Sequence, residues 1–156
     1  MAKRSAGILV FRRTKSILEV FLVHPGGPFF FRKDKGAWTI PKGECEPGED
    51  PFSTARREFN EETGFTIEGD YIDLGQIRQQ GGKYVRAWAI EADFDPAKLR
   101  SNTFKLGNRE FPEVDRGEWC TLERAREALN SGQVALLDRL VEKTGPIQDT
   151  SPNRAI

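Results

Sequence analysis

The chain has 156 residues, a length that suits one domain, and its 24 Lys and Arg balance its 24 Asp and Glu. Zero formal net charge argues against general nucleic-acid binding, which draws on a basic excess, and no apolar run approaches the roughly 18–20 residues of a membrane span. The start, Met1-Ala2-Lys3-Arg4-Ser5, does not read as a secretory signal, and the two cysteines, Cys45 and Cys120, read as free thiols, so the expected compartment is a reducing cytoplasm.

Taken in order, Gly7–Phe11 and Leu18–His24 are apolar runs joined by the polar stretch Arg12–Ser16, a predicted strand pair. His24-Pro25-Gly26-Gly27-Pro28 is a loop by composition, followed by Phe29-Phe30-Phe31, and Trp38–Ile40 is a predicted short strand. Asp50 as cap, Pro51 at the first helical position and Gly64 as left-handed stop bound a helix. Phe52, Ala55 and Phe59 give that helix an apolar face. Tyr71–Gln79 and Lys83–Ala92 are strands around a Gly81-Gly82 turn. Breakers between Asp93 and Phe111 predict an irregular excursion there. Val114–Cys120 is a further strand, Thr121 caps a helix running to Asn130, and Val134, Leu137, Leu140 and Val141 recur at helical spacing within Gln133–Lys143. The expected fold is α/β, a mixed β-sheet between helices, with one domain over residues 1–143 and a polar tail over 144–156.

The helix carries the chemistry. Glu58, Glu61 and Glu62 stand at i, i+3 and i+4, which gathers three carboxylates on one face, where like charges repel. Such hard oxygen donors suit Mg2+ or Mn2+, ions often held by carboxylates together with substrate phosphates. Arg57 lies eight residues after Glu49 and four before Glu61, so it is expected to brace the preceding loop and the helix rather than neutralise the acidic face.

The segment Gly43–Phe65, GECEPGEDPFSTARREFNEETGF, meets all nine specified positions of the pattern Gx5Ex7REUxEExGU, with U apolar. It resembles the Nudix box, and the chain is identified as a member of the Nudix hydrolases on that ground. The resemblance implies an α/β/α sandwich and metal-dependent hydrolysis of a phosphoanhydride bond in a nucleoside diphosphate derivative. It implies that Glu58 and Glu62 bind the metal, that Glu61 is a further ligand or the base activating water, and that the Gly43 carbonyl completes the shell. Glu49 and Arg57 become a structural pair that supports catalysis. Among the acidic residues farther along, Glu110, Glu113 and Asp115 are candidate bases, with Glu113 first.

The flanks Trp38-Thr39-Ile40-Pro41-Lys42-Gly43 and Glu46-Pro47-Gly48-Glu49-Asp50 resemble the diadenosine polyphosphate hydrolase branch of that family. A small-molecule phosphoanhydride is the expected partner of a monomer or homodimer. Lys42, a compact charge with three donors, suits a phosphate chain, and Lys33 is a further cation candidate beside Arg32, Lys35 and Lys83. Trp38 and Tyr84 are candidates for stacking a base, as are Phe29–Phe31, although core packing is the commoner fate of such residues. His24, the sole histidine, is a lesser substrate candidate. The alternatives are a Nudix-fold nucleotide sensor without catalysis, or hydrolysis of diphosphoinositol polyphosphates or RNA 5′ ends.

Overall fold

Two long neighbouring strands, β1 (Arg4–Thr14) and β2 (Ile17–Pro25), turn on Lys15 and Ser16, both at positive φ. That left-handed pair matches the twist of an antiparallel hairpin. The structure, a computed structural model, describes residues 3–145 apart from the side chain of Gln80; the polar tail expected over 144–156 therefore lies almost entirely outside the described residues. The chain continues through β3 (Lys42–Glu44), α1 (Pro51–Thr63), β4 (Ile72–Arg78), β5 (Tyr84–Glu91), β6 (Thr103–Leu106), β7 (Arg109–Pro112), β8 (Val114–Thr121), α2 (Leu122–Ala128) and α3 (Ala135–Thr144).

The main sheet runs β4-β5-β1-β2-β8, with β3 paired to the start of β1. It is mixed, because β1 and β5 run parallel while the other pairs are antiparallel. Alternation along β1 sends Ala6, Ile8 and Val10 to one face and Leu9 and Phe11 to the other. On the first face they meet Ala55 and Phe59 of α1; on the second, Ala125 and Ala128 of α2 and Leu136, Leu137 and Leu140 of α3. The expected sandwich follows from this two-sided burial.

Two expectations are corrected. Trp38–Ile40 forms only isolated bridges, Thr39 with Val23 and Trp38 with Leu129, and the strand begins at Lys42 instead. The stretch expected to be irregular contains the hairpin β6–β7, in which Phe104 lies opposite Phe111, their ring centroids 5.9 Å apart. Its Gly107 breaker is the turn itself, at φ +65°. A cross-strand aromatic pair stabilises a hairpin that residue-by-residue turn signals obscure.

α1 forms as its caps dictate. The Asp50 carboxylate accepts from the Ser53 N–H at 3.1 Å, and Gly64, at φ +81°, closes the helix with its N–H donating to the Asn60 carbonyl. Asp50→Ala should therefore lower stability by about 1 kcal/mol, the usual worth of an N-cap, measured by urea unfolding.

Candidate active site

Helix α1 and the loop before it meet through one guanidinium. Arg57 donates from Nε and Nη2 to the two oxygens of Glu49, at 2.9 and 3.0 Å, a fork-to-fork pair. Those bonds, with the Glu46 N–H also donating to Glu49, hold the Glu49 carboxyl down to about 2. The third nitrogen, Nη1, donates to Glu58 at 2.9 Å and to Glu61 at 3.2 Å. Here the structure corrects the sequence expectation: Arg57 braces the loop and also reaches the acidic face.

Glu62 is the unusual member of the trio. It is only 7% exposed, lies against β3, and accepts from the Lys42 N–H at 3.3 Å. Burial first, then the neighbouring charge of Glu58, pushes the Glu62 carboxyl up to about 8. Burial and Glu61 raise Glu58 as well, against the pull of Arg57. A face of plain solvated acids would show neither the burial nor the mutual repulsion.

Gly43 sits across from this face, its backbone paired with Ala6 of β1. A Cβ at Gly43 would collide with the Glu58 carboxylate, so the missing side chain is what lets main chain and carboxylate approach. Among the described residues, no three acidic, His or Cys side chains converge into a ready-made metal cage. The donor set is nevertheless chemically apt: three carboxylates and one carbonyl are hard oxygen ligands, and a divalent cation would relieve the repulsion that raises Glu58 and Glu62.

The other candidates separate clearly. Glu113 joins the site, since its charge bears on both Glu58 and Glu62. Its backbone is fixed on both sides, with its N–H donating to the Asn102 carbonyl and its carbonyl accepting from Gly26, each at 2.9 Å. Asn102 in turn donates from its N–H to the Glu61 carbonyl, which ties this segment to the end of α1. Glu110 is occupied by the Thr103 hydroxyl and Asp115 by His24. Lys42 belongs to the site too; burial lowers it while Glu62 and Glu58 support its charge. Tyr84 lines a cleft of about 620 Å3 with Lys3, Arg4, Glu44, Cys45 and Glu49 on the flank of the Gly43–Glu49 loop.

Trp38 does not offer a stacking face. It is 1% exposed, its Nε1 donates to Asp34 at 2.7 Å, and His24, Arg116 and Arg124 surround its ring. Its length and flatness suit a core position between sheet and α2, which outweighs any gain from exposure. Lys33 points its charge toward the Phe30 ring, and among the described residues no ion pair joins it to the carboxylates. Its carbonyl matters more, because it accepts from His24 Nε2 at 2.6 Å. His24 is fully buried and its Nδ1 faces Asp115 at 3.0 Å, so the histidine is a strut rather than a substrate contact. Sequence reasoning missed that strut and the anchoring of Glu113 by Gly26 and Asn102; neither has a local signal, because each joins segments far apart in the chain.

Comparisons with known proteins bear on family and fold. An asymmetrical bis(5′-nucleosyl)-tetraphosphatase from Mus musculus is 34% identical over 103 residues, spanning 58% of this chain and 66% of its own length, just under two thirds. The Caenorhabditis elegans protein of the same name is 34% identical over 143 residues, 89% of this chain and 94% of its own. Among solved structures, a C. elegans Ap4A hydrolase binary complex superposes with a TM-score of 0.66 at 23% identity, covering 90% of this chain and 97% of that one. The NUDIX domain of Shewanella oneidensis NrtR, complexed with ADP ribose, gives 0.69 at 16% identity, covering 93% and 90%; at such identities these likenesses speak for the fold alone. A family model described as NUDIX domain matches residues 1–140 of the 156, and the chain belongs to the Nudix family.

Proposed function

We propose that the protein is a metal-dependent pyrophosphohydrolase that cleaves a phosphoanhydride bond of a nucleoside polyphosphate, a diadenosine polyphosphate above all. The carrying observation is the burial of Glu62 against β3 beside Glu58, a placement that a solvated helix face would not adopt. The named relatives in mouse and worm, and the Lys42-Gly43 junction beside the carboxylates, support the substrate class. Retention of Glu58, Glu61 and Glu62 together with Glu49 and Arg57 disfavours a sensor without catalysis.

In this assignment Glu58, Glu62 and the Gly43 carbonyl hold Mg2+ or Mn2+, with Glu61 as a further ligand. When bound, the cation would supply charge neutralisation at the anhydride and a water of lowered pKa. Glu113 takes the proton from the attacking water, its backbone fixed by bonds to Asn102 and Gly26. Arg57, clamped on Glu49, keeps the loop and helix in register and restrains Glu58 and Glu61. Lys42 meets the phosphate chain as it leaves the carboxylates, and Tyr84 walls the neighbouring cleft. Hydrolysis of a substrate panel with Mg2+ or Mn2+, products separated by chromatography, tests the assignment. Turnover of diphosphoinositol polyphosphates or capped RNA in place of dinucleotides would overturn the substrate class.

Glu58→Gln and Glu62→Gln should each abolish most turnover while preserving the fold by circular dichroism, because an amide keeps the shape without the charge. Glu113→Gln should lower kcat by about 100- to 10,000-fold with KM little changed, the range for loss of a general base.

Lys42→Met should cut kcat/KM on diadenosine tetraphosphate by roughly ten- to a hundredfold, and less on the shorter ADP-ribose, since a charge-assisted contact contributes about 1.5–3 kcal/mol. Equal losses on both would assign Lys42 to shaping the turn.

Because Glu62 is raised in the folded state, from an ordinary 4.5 to about 8, its protonated form stabilises the metal-free fold. That contribution is complete below about pH 4.5 and is lost as pH rises through about 8. Urea midpoints in EDTA should accordingly fall across this window relative to those of Glu62→Gln. Millimolar Mg2+ should restore the wild type at pH 8.

A further inference from the structure

Four of the five large apolar side chains exposed among the described residues belong to two segments whose bases touch: Phe29, Phe30 and Phe31 on the loop after β2, and Leu106 on the β6–β7 hairpin. Phe29 and Phe31 are 67% and 69% exposed. Their exposure does not follow from a slack loop. The Lys33 carbonyl accepts from the buried His24, the Lys33 N–H donates to the Phe30 carbonyl, and the Gly36 N–H donates to the Glu127 carbonyl. Asp34 receives bonds from Trp38 and Arg124. The fold therefore fixes this segment while leaving two phenyl rings in water, an arrangement that costs free energy unless something covers them.

The place and the chemistry identify the occupant. The loop starts at Gly26, whose N–H donates to the Glu113 carbonyl, so its root lies beside the backbone of the proposed base. Gly26 and Gly27 lie so close to Pro112 and Phe104 that side chains there would collide, which sets the loop root against the hairpin. Cations border the aromatic faces: Arg32 lies 5.8 Å from the Phe31 centroid, Lys33 5.8 Å from that of Phe30, and Arg109 5.2 Å from that of Phe111. Flat apolar faces edged with positive charge complement a flat heterocycle joined to a phosphate chain. A lipid surface or protein partner would not need this adjacency to Glu113.

We propose that the Pro28–Lys33 loop is a nucleobase subsite, in which Phe29 and Phe31 stack a base of the substrate and Arg32 and Lys33 meet the phosphate next to it. The subsite rests on the phosphoanhydride-hydrolase assignment above. It replaces Trp38, which is buried, with residues that are free to stack.

The test uses the full chain with Mg2+ and the variants Phe29→Ala and Phe31→Ala, alone and combined. KM for diadenosine tetraphosphate should rise about 5- to 100-fold while kcat stays within about threefold, as for a contact made equally in ground and transition states. The inhibition constant of inorganic tetrapolyphosphate, which has no base, should stay unchanged. With turnover slowed by Glu113→Gln, an etheno-adenine analogue of the dinucleotide should change fluorescence on binding, and adding Phe29→Ala and Phe31→Ala should remove that change. An unaltered KM, or equal weakening of the dinucleotide and tetrapolyphosphate, would overturn the subsite and leave the hydrolase assignment standing. A fluorescence change that depends on Phe29 and Phe31 in a protein that hydrolyses no dinucleotide would uphold the subsite and overturn the assignment. Failure of the wild type to bind any nucleotide would overturn both.

Discussion

One guanidinium organises the acidic end of this protein. Arg57 is shared among Glu49, Glu58 and Glu61, so the loop before α1 and the exposed side of α1 answer to the same cation. Without it, the carboxylates of Glu49, Glu58 and Glu61 would lie near one another with no shared cation, and like charges repel. The fork pairing to Glu49 is directional and fixes the loop. The bonds from Nη1 to Glu58 and Glu61 come from one nitrogen and lack that fork geometry.

Glu62 stands outside that arrangement. It is buried on the far side of the acidic cluster, with the Lys42 N–H and the electrostatic support of the Lys42 ammonium as its compensation. Burying an incompletely paired carboxylate destabilises a fold, and a position tolerating it signals a use for the charge. Gly43 completes this economy of space, since a Cβ there would displace the Glu58 carboxylate from its place against β3.

At the opposite edge of the site, order comes from contacts between segments far apart in sequence. His24 joins the Lys33 carbonyl to Asp115, Gly26 joins β2 to Glu113, and Asn102 joins the excursion to the end of α1. These bonds set a rigid rim beside the carboxylates, and rigidity is what allows aromatic side chains to remain presented rather than collapse onto the core.

Much of the molecule was legible in the residues themselves. Asp50, Pro51 and Gly64 bound α1 by local chemistry, and i, i+3, i+4 spacing gathered Glu58, Glu61 and Glu62 before any fold was known. The apolar runs of β1 and β2 and the periodicity of α3 likewise follow from which atoms avoid water. Tertiary structure alone decided where chemically equivalent residues stand. Glu113, Glu110 and Asp115 are alike in sequence, and only the positions of Asn102, Thr103 and His24 distinguish them. Trp38 and Phe31 are both candidate stacking surfaces, yet one is enclosed by α2 and the sheet while the other stands in solvent. Spacing along a helix is set by bonds within one segment, whereas burial, ionic partners and exposure depend on which distant segments pack together.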